Sequence, residues 1–287
     1  MRKTLEELEA YKRIEEDLRK KKAEIEENLW YIDIMSKGAY IGENGAFYTE
    51  NIEVFNEIQD HYKNSKLDYW QDQTAWNVNT VSSQRYQNQK EFFEKNFVNH
   101  LDKKQIVCDL ASADGSWSFK IADKVKMVEG FEYSKKMVDA ANSKAKENEI
   151  QNVCFYHADA RKINLIPDKY DNIMMMMGLL TCIMNTNEAR LIVRKVYDAL
   201  KYGGYIITKD TLNFEQYDQI YLHNMLSNYD AIYRSKQNYY AMFEGIGFQL
   251  VGDILLEEVK VDKLQFGSMA QIWKKCEEYS DESNRTV

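Results

Sequence analysis

Residues 105–118 constrain the fold most, because they join a buried-strand pattern directly to a small, polar loop. Ile106 to Leu110 form a short apolar run, which is typical of strands in the middle of a parallel sheet. The loop that follows reads ASADGSWS and contains Gly115. A strand that breaks at small residues and re-enters a helix lets a ligand approach the backbone and the helix N–H groups. The stretch therefore predicts a nucleotide-type binding pocket.

Strand and helix patterns alternate regularly after this stretch. Ser134, a typical N-cap, starts one predicted helix that ends near Asn148, and a second runs from Glu188 to Leu200. The further predicted strands are residues 127–132, 152–157, 170–177 and 205–209, followed by an antiparallel pair at 248–259 and 267–276. This alternation predicts right-handed crossovers and a doubly wound, mainly parallel sheet with helices on both faces.

Acidic residues stand at the ends of the predicted strands. Asp109, Glu132 and Asp159 end the first three strands, and Asp171 opens the fourth. The carboxyl ends of neighbouring parallel strands meet at one crevice, so these acids are expected to converge there. A carboxylate only accepts hydrogen bonds, which suits Glu132 to a ribose diol and Asp159 to an adenine amino group.

In these motifs the sequence resembles the class I S-adenosylmethionine-dependent methyltransferases, over about residues 100–275. The resemblance rests on the segments 109–115, 130–137, 158–160, 170–173, 200–205 and 245–248. It implies a Rossmann-like α/β fold, with seven mainly parallel strands and a reversed last strand, and S-adenosyl-L-methionine as the cofactor. The cofactor-binding residues that it implies are Asp109, Ala111, Ser112, Gly115, Glu132, Tyr133, Met137, Asp159, Ala160, Met176 and Met177.

The first motif departs from the family's D-x-G-x-G-x-G pattern. Ala111 and Ala113 replace the first two glycines, and only Gly115 remains. Alanine disfavours a positive φ by about 1 kcal/mol or more, so we expect the loop to follow a somewhat different path.

The segment after the fifth strand is rich in tyrosine and is expected to contact the acceptor. Methylation of a hydroxyl needs a general base, for which His223 and Asp210 are the candidates. The candidate acceptor-binding residues are Tyr217, Tyr221, Arg234 and Trp76, although the position of Trp76 favours packing within a helical cap over a ligand contact. The spacing of residues 109–122 is also similar to that of methyltransferases that modify surface polysaccharides. This implies a small, polar, carbohydrate-like acceptor methylated at oxygen or nitrogen.

The pattern of the chain predicts several regions. These are a long helix at 1–35, a helical cap at 36–100, the methyltransferase-like domain at 101–276 with a helical, tyrosine-rich insert at 212–236, and a polar tail at 277–287. In the first helix, apolar side chains recur every seven residues from Tyr11 to Ile32, but Lys21 and Asn28 interrupt the seam. This pattern is that of an imperfect coiled coil, so a homodimer or partner contact and a solvated helix with one packed stripe both remain open.

Composition excludes several classes of function. A formal net charge of −8 argues against a nucleic acid as the partner. No apolar run reaches the roughly 20 residues of a membrane span, and the four cysteines lack the spacing of a zinc site or a disulfide framework. We therefore expect a cytoplasmic enzyme without a metal that acts on a small molecule. Two alternatives remain: an inactive scaffold or regulatory subunit that binds S-adenosylmethionine, and an NAD-dependent Rossmann oxidoreductase.

Overall fold

The structure is a computed structural model that describes residues 5–62, 83–215, 217–225 and 227–276. The α-helices in these ranges are α1 (Leu5–Ser36), α2 (Ile52–Tyr62), α3 (Ser83–Asn96), α4 (Ser118–Ile121), α5 (Lys135–Glu147), α6 (Leu179–Cys182), α7 (Thr186–Ala199) and α8 (Lys236–Glu244). The strands are β1 (Tyr40–Ile41), β2 (Ala46–Thr49), β3 (Ile106–Leu110), β4 (Met127–Glu132), β5 (Val153–His157), β6 (Tyr170–Met175), β7 (Leu200–Asn213), β8 (Gln219–Asn224), β9 (Tyr229–Arg234), β10 (Phe248–Val261) and β11 (Leu264–Lys275).

Seven strands form the central sheet, in the order β10-β11-β7-β6-β3-β4-β5. The pairs from β7 through β5 are parallel, whereas β11 runs antiparallel to both β7 and β10. The strand order reverses at β3, so a crevice is expected at the carboxyl ends of β3 and β6. The predicted Rossmann-like fold with its reversed last strand is confirmed.

Helices cover both faces of this sheet. On one face, α7 and α8 pack through side chains such as Val196 and Phe243, and Phe243 stacks on Trp273 with ring centroids 4.7 Å apart. On the other face, α3 and α5 pack through Phe93 and Ala141. Because both faces are buried, the middle strands are apolar on both sides rather than alternating.

A second sheet of four strands has the order β1-β2-β8-β9. The prediction that 36–100 and 212–236 are helical is therefore wrong where these strands lie. In β8, Ile220 and Leu222 pack towards Phe266 of β11, while Tyr221 packs in another cluster with Phe55 of α2. A segment that buries alternate residues on opposite sides forms a strand, and tyrosine is a residue that favours strands.

Strand β7 is longer than predicted. It begins at Leu200 rather than Tyr205 and continues past Lys209 to Asn213. The added residues Asp210 to Asn213 pair with β11, whose own length the sequence pattern underestimated. The Ser134 N-cap is confirmed, because its side chain accepts a hydrogen bond from the Met137 N–H.

Among its described side chains, from residue 12 onward, helix α1 packs on the rest of the described structure near its C-terminal end. Trp30 stacks on His61 with ring centroids 3.7 Å apart, and Ile34 is buried beside Phe47. Every side chain from residue 12 to residue 26 is exposed. The side opposite Trp30 and Ile34 carries an apolar stripe whose members are between 51% and 65% exposed: Ile14, Leu18, Ile25, Leu29, Ile32 and Met35. Neither α1 nor another helix in the described ranges is long and apolar enough to cross a bilayer.

Candidate functional site

The loop after β3 takes the left-handed conformation at alternate residues. The φ angles are 61° at Ala111, 49° at Ala113 and 76° at Gly115. The expectation that alanine diverts this loop from a glycine-like path is therefore wrong. Backbone hydrogen bonds offset the steric cost of the two methyl groups, since the Ala111 and Ser112 N–H groups both donate to the Phe131 carbonyl, at 2.8 and 3.1 Å.

Asp109 lies at the carboxyl end of β3 and is fully buried. Its Oδ2 accepts a hydrogen bond from the Ser118 hydroxyl at 2.6 Å, while its Oδ1 has no hydrogen-bond partner in the structure as described. Burial raises the pKa of Asp109 to about 7, against the effect of the Ser118 hydroxyl, and nearby Glu132 raises it further. Near neutral pH this carboxyl therefore exchanges a proton readily.

Glu132 ends β4 and holds the same loop from its other side. Its Oε2 accepts the Ala113 N–H at 2.9 Å, and its Oε1 accepts the Ser134 N–H at 2.8 Å. Burial raises the pKa of Glu132, and these backbone donors act in the opposite direction. Each carboxylate oxygen has a further lone pair, so Glu132 can bind the protein and two donors of a ligand at once.

The loop after β5 contains Asp159 and Ala160. Arg161 binds the Asp159 carboxylate through Nε and Nη2, at 2.9 and 2.8 Å, and this ion pair lowers the pKa of Asp159. The Ala158 N–H donates to the Glu132 carbonyl at 2.8 Å, which fixes this loop beside the end of β4. Ala160 is buried in the core. The structure thus brings the loops after β3, β4 and β5 together.

Two glycines let these loops approach one another closely. A Cβ added at Gly115 would lie 2.5 Å from the ring of Phe155, and one at Gly130 would lie 2.4 Å from the same ring. Gly115 also has a positive φ. A side chain at Gly115 would therefore push the loop after β3 away from β5. One at Gly130 of β4 would displace the Phe155 ring and Ser112, whose Oγ lies 2.9 Å from the added atom.

The methionines and tyrosine of the predicted cofactor set occupy three different environments. Met137 and Met176 are almost fully buried, and Met176 belongs to the core cluster that also contains Phe93. Met177 is half-buried, and Tyr133 directly follows Glu132 and is half-buried as well. Met177 and Tyr133 are thus the members of this group with side-chain surface open to a ligand.

The two predicted catalytic residues lie in different parts of the structure, each surrounded by different elements. His223 of β8 is buried against α2, stacks on Tyr62, and binds the Asp230 carboxylate through Nδ1 at 2.8 Å. Asp210 of β7 is buried on the side of α6 and α8 and accepts hydrogen bonds from Thr181 and Tyr239. The structure does not bring His223 and Asp210 into one site.

The predicted acceptor-binding residues are likewise engaged within the protein. Arg234 is buried and donates to the carbonyls of Leu180 and Ile183 at 2.6 and 2.7 Å. Tyr221 stacks on Phe55 with ring centroids 5.0 Å apart, and Tyr217 packs at the edge of the small sheet's core. Trp76 lies outside the described residues.

A charged cluster beside the carboxyl end of β6 was missed by the sequence patterns. It consists of Lys209, Arg85, Glu257 and Cys182, and Tyr229 adjoins it through a 3.8 Å contact of its hydroxyl with Cys182 Sγ. We call these five residues the charged cluster. The one signal in the sequence is a lysine within the otherwise apolar strand Tyr-Ile-Ile-Thr-Lys. In the part of the chain that is described, no group of His, Cys, Asp and Glu side chains is arranged to hold a metal ion.

Two buried atoms near these loops point to a ligand. Asp109 Oδ1 and Ser112 Oγ have no hydrogen-bond partner among the described residues, although buried polar atoms normally have one. An amino group or hydroxyl of a ligand would supply the missing donors. The residues present thus fit a nucleoside that carries an amino acid, as S-adenosylmethionine does.

The sequence of residues 101–279, more than half of the chain, matches the family described as "Methyltransferase domain". The chain belongs to this family. Its domain is a class I S-adenosylmethionine-dependent methyltransferase domain, and the cofactor of that domain is S-adenosyl-L-methionine.

Curated relatives of the methyltransferase domain include proteins with different acceptors in their names. The demethylmenaquinone methyltransferase of Lactococcus lactis subsp. lactis is 23% identical over 128 residues, which are 42% of this chain and 49% of that protein. The 23S rRNA (uracil(1939)-C(5))-methyltransferase of Psychromonas ingrahamii is 39% identical over 72 residues, 25% of this chain and 16% of that protein. The chain thus spans about half or less of the length of these relatives.

Solved structures of S-adenosylmethionine-dependent methyltransferases share the fold. One from Leishmania major has a TM-score of 0.53 at 17% identity and covers 72% of this chain and 80% of its own. One from Methanosarcina mazei has a TM-score of 0.51 at 15% identity and covers 62% of this chain and 96% of its own. At these identities the likeness concerns the fold of the methyltransferase domain.

Proposed function

We propose that this chain transfers a methyl group from S-adenosylmethionine to an oxygen or nitrogen of a small, polar, carbohydrate-like acceptor. The observation that carries the proposal is a pair of buried atoms without a hydrogen-bond partner among the described residues. They are Asp109 Oδ1, near the end of β3, and Ser112 Oγ, in the loop that Glu132 also holds. When bound, S-adenosylmethionine supplies an electrophilic methyl group: the acceptor's lone pair forms the new bond to its carbon, and the electrons of the broken C–S bond stay on sulfur.

The proposed cofactor contacts follow the three loops. Glu132 accepts the ribose hydroxyls, Asp159 and Ala160 border the adenine, and Asp109 accepts the amino group of the methionine moiety. Holding two reactants aligned in a site that excludes water accounts for much of the rate of such a displacement. The chain's main contribution is therefore positioning.

The charged cluster supports a polar acceptor. An apolar ring or tail would leave these charged groups without hydrogen-bond partners from the acceptor, a cost that a polar acceptor avoids by hydrogen bonding. The net charge of −8 argues against RNA as the acceptor, although one relative carries rRNA in its name. The spacing of residues 109–122 supports the carbohydrate-like class in particular.

Glu132→Gln tests the cofactor site. The amide keeps the size of the side chain but removes a carboxylate that would accept two ribose hydrogen bonds, so S-adenosylmethionine binding should weaken by about 2–4 kcal/mol. Isothermal titration calorimetry with S-adenosylmethionine and S-adenosylhomocysteine measures this change. Glu129→Gln is the matched control, because Glu129 lies on the same strand but binds Lys169 and Tyr170 instead.

Three outcomes would contradict all or part of the proposal. Wild-type protein that binds neither compound would remove the function, whereas an unchanged affinity of Glu132→Gln would remove only the ribose role. Tight cofactor binding without transfer of labelled methyl to any fraction of a cell extract would favour the inactive scaffold instead. Membership of the methyltransferase family favours S-adenosylmethionine over the nicotinamide alternative.

We also propose that α1 pairs with α1 of a second copy. In the apolar stripe, Leu18, Ile25 and Ile32 recur every seven residues, as the seam of a coiled coil requires. In a parallel pair, Asp17 and Lys22 occupy positions whose side chains meet across the seam with opposite charge. A second copy therefore complements this stripe in both shape and charge.

The proposed compartment is the cytoplasm. Cys108, Cys154, Cys182 and Cys276 are all free thiols in the structure. Unpaired cysteines are usual in a reducing compartment, where disulfides rarely persist.

A further inference from the structure

Lys209 lies at the carboxyl edge of the central sheet, next to the proposed cofactor site. Its neighbours in β7, Thr208 and Asp210, point to the side of α8, where the Tyr239 hydroxyl donates to Asp210 at 2.8 Å. Because side chains alternate along a strand, Lys209 points to the opposite side, towards α3. A Cβ added at Gly178, just beyond β6, would lie 3.6 Å from Lys209 Nζ. The amine thus stands at the carboxyl end of β6, beside the topological switch point.

The groups around Lys209 do not neutralise it. Arg85 faces it from α3, Cys182 from α6 and Glu257 from β10, with Asp210 beside it on β7. Glu257 binds Arg85 Nη1 at 3.4 Å, and the Asp210 carboxylate accepts hydrogen bonds from Thr181 and Tyr239. Within the described ranges, no hydrogen bond or ion pair to Lys209 Nζ is formed.

Burial and the charge of Arg85 favour the neutral form of the Lys209 amine. Together they lower the pKa of Lys209 to about 8, although Asp210, Cys182 and Glu257 act in the opposite direction. An ordinary lysine has a pKa near 10.5 and is almost entirely protonated at neutral pH. A general base works best when its pKa lies near the working pH, and Lys209 meets this condition.

The two other candidate bases differ from Lys209 in place or in bonding. His223 lies on the side of the small sheet that faces α2, where its Nδ1 binds Asp230 and its buried Nε2 has no hydrogen-bond partner among the described residues. Both oxygens of Asp210 accept hydrogen bonds from Thr181 or Tyr239. Lys209 combines a position at the crevice with a basic atom that has no partner in the described structure.

We propose that Lys209 is the catalytic base that receives the proton of the acceptor's attacking atom. This inference rests on the proposed function and narrows it to acceptors that attack through a hydroxyl or an amine. As the acceptor atom bonds to the methyl carbon, its O–H or N–H electrons stay on that atom and the proton passes to the Lys209 amine. The resulting ammonium then releases the proton to solvent, so that the amine is regenerated.

Three variants separate this role from a charge or packing role. Lys209→Met keeps the length of the side chain but has no basic atom, and Lys209→Arg keeps the charge but stays protonated at any accessible pH. If Lys209 acts as a base, both variants lose methyl transfer by about 10²–10⁴-fold. Lys201→Met is the control, because Lys201 lies at the other end of β7 and binds Asp171 on the surface.

The first measurement follows protonation directly and needs no acceptor. In protein labelled with ¹³C at lysine Cε, nuclear magnetic resonance should show one resonance that titrates near pH 8 and is absent from Lys209→Met. A Lys209 resonance that titrates at the ordinary value, near 10.5, would overturn the proposal.

The second measurement uses labelled S-adenosylmethionine and the extract fraction that wild-type protein methylates. We expect the rate of wild type to rise with pH up to about 8 and that rise to disappear in both variants, while calorimetry shows cofactor affinity within about threefold of wild type. A Lys209→Arg variant that retains the wild-type rate would show a charge role and overturn the proposal. Failure of wild type to bind the cofactor would instead remove the proposed function, so the two failures are distinguishable.

Discussion

Asp109 and Glu132 are buried carboxylic acids on neighbouring strands, but the protein satisfies them differently. Glu132 accepts two backbone N–H groups, whereas Asp109 accepts only the Ser118 hydroxyl. A buried carboxylate with few donors is costly, which is why burial raises the pKa of Asp109 to about 7. At the scale of single residues, the site thus holds one acid prepared to release a proton when a cationic ligand arrives.

Asp109→Asn should change how stability depends on pH. The folded pKa of Asp109 lies above its unfolded value, so the contribution of Asp109 to wild-type stability falls as pH rises from about 4 to about 7. The amide has no such dependence. Because a tenfold change in a protonation equilibrium corresponds to about 1.4 kcal/mol, the variant should gain a few kcal/mol relative to wild type by pH 8. Urea unfolding at several pH values measures this difference.

The control for that experiment is Asp123→Asn, since Asp123 is exposed and, within the described ranges, its one ion pair is with Lys124. Its unfolding free energy should follow the wild-type pH profile. Parallel profiles for wild type and Asp109→Asn would show that burial does not perturb Asp109.

At the scale of elements, the loop after β3 adopts its conformation despite two alanines. Ala111 and Ala113 both have positive φ, which costs an L-residue about 1–2 kcal/mol. Glycine avoids this cost but loses about 0.5–1 kcal/mol in unfolded-chain entropy. Ala111→Gly and Ala113→Gly should therefore each raise the unfolding free energy by about 0.5–1 kcal/mol in urea titrations.

Ala141→Gly provides the opposite case. Ala141 is buried in the middle of α5, where glycine costs about 1 kcal/mol of helix propensity. If the two loop variants lose as much stability as Ala141→Gly, then the alanines are not strained.

The elements differ in how well the sequence predicted them. The central sheet was predictable because apolar runs such as Ile106–Leu110 are buried on both faces and are bounded by loops with acids and glycines. The small sheet was not, because β2 and β8 are far apart in sequence and neither is stable alone. In the site, the acids at strand ends were predictable from their positions along the alternating strand and helix pattern. Glu132 and Asp109 lie at the strand ends that this pattern predicted.

Lys209 shows what the pattern of strands and helices along the sequence cannot predict. Its side of β7, its distance from Gly178 and the loss of water that lowers its pKa all depend on packing from α3 and β10. The same holds for Arg234, whose charge suggested a ligand contact but whose guanidinium is taken up by carbonyls around α6.

At the scale of the whole molecule, α1 is a helix of 32 residues whose described contacts with the other elements lie near its C-terminal end. If its apolar stripe pairs with a second copy, the wild-type protein is a dimer by light scattering. A Leu18→Glu, Ile25→Glu double variant should be monomeric at the same concentration, because it places charges in the seam.

Glu16→Gln is the control for this experiment, since residue 16 lies on the side of α1 away from the stripe. It should remain dimeric. A wild-type mass equal to one chain would contradict the pairing.

The small sheet joins distant parts of the chain, and this affects synthesis. Ala46 of β2 pairs with Asn224 of β8, so β2 cannot pair with β8 until most of the polypeptide has left the ribosome. Until then β2, which is buried at all four positions in the finished protein, exposes an unpaired apolar edge. A nascent chain of this protein should therefore depend on chaperones for longer than its nucleotide-binding sheet alone would require.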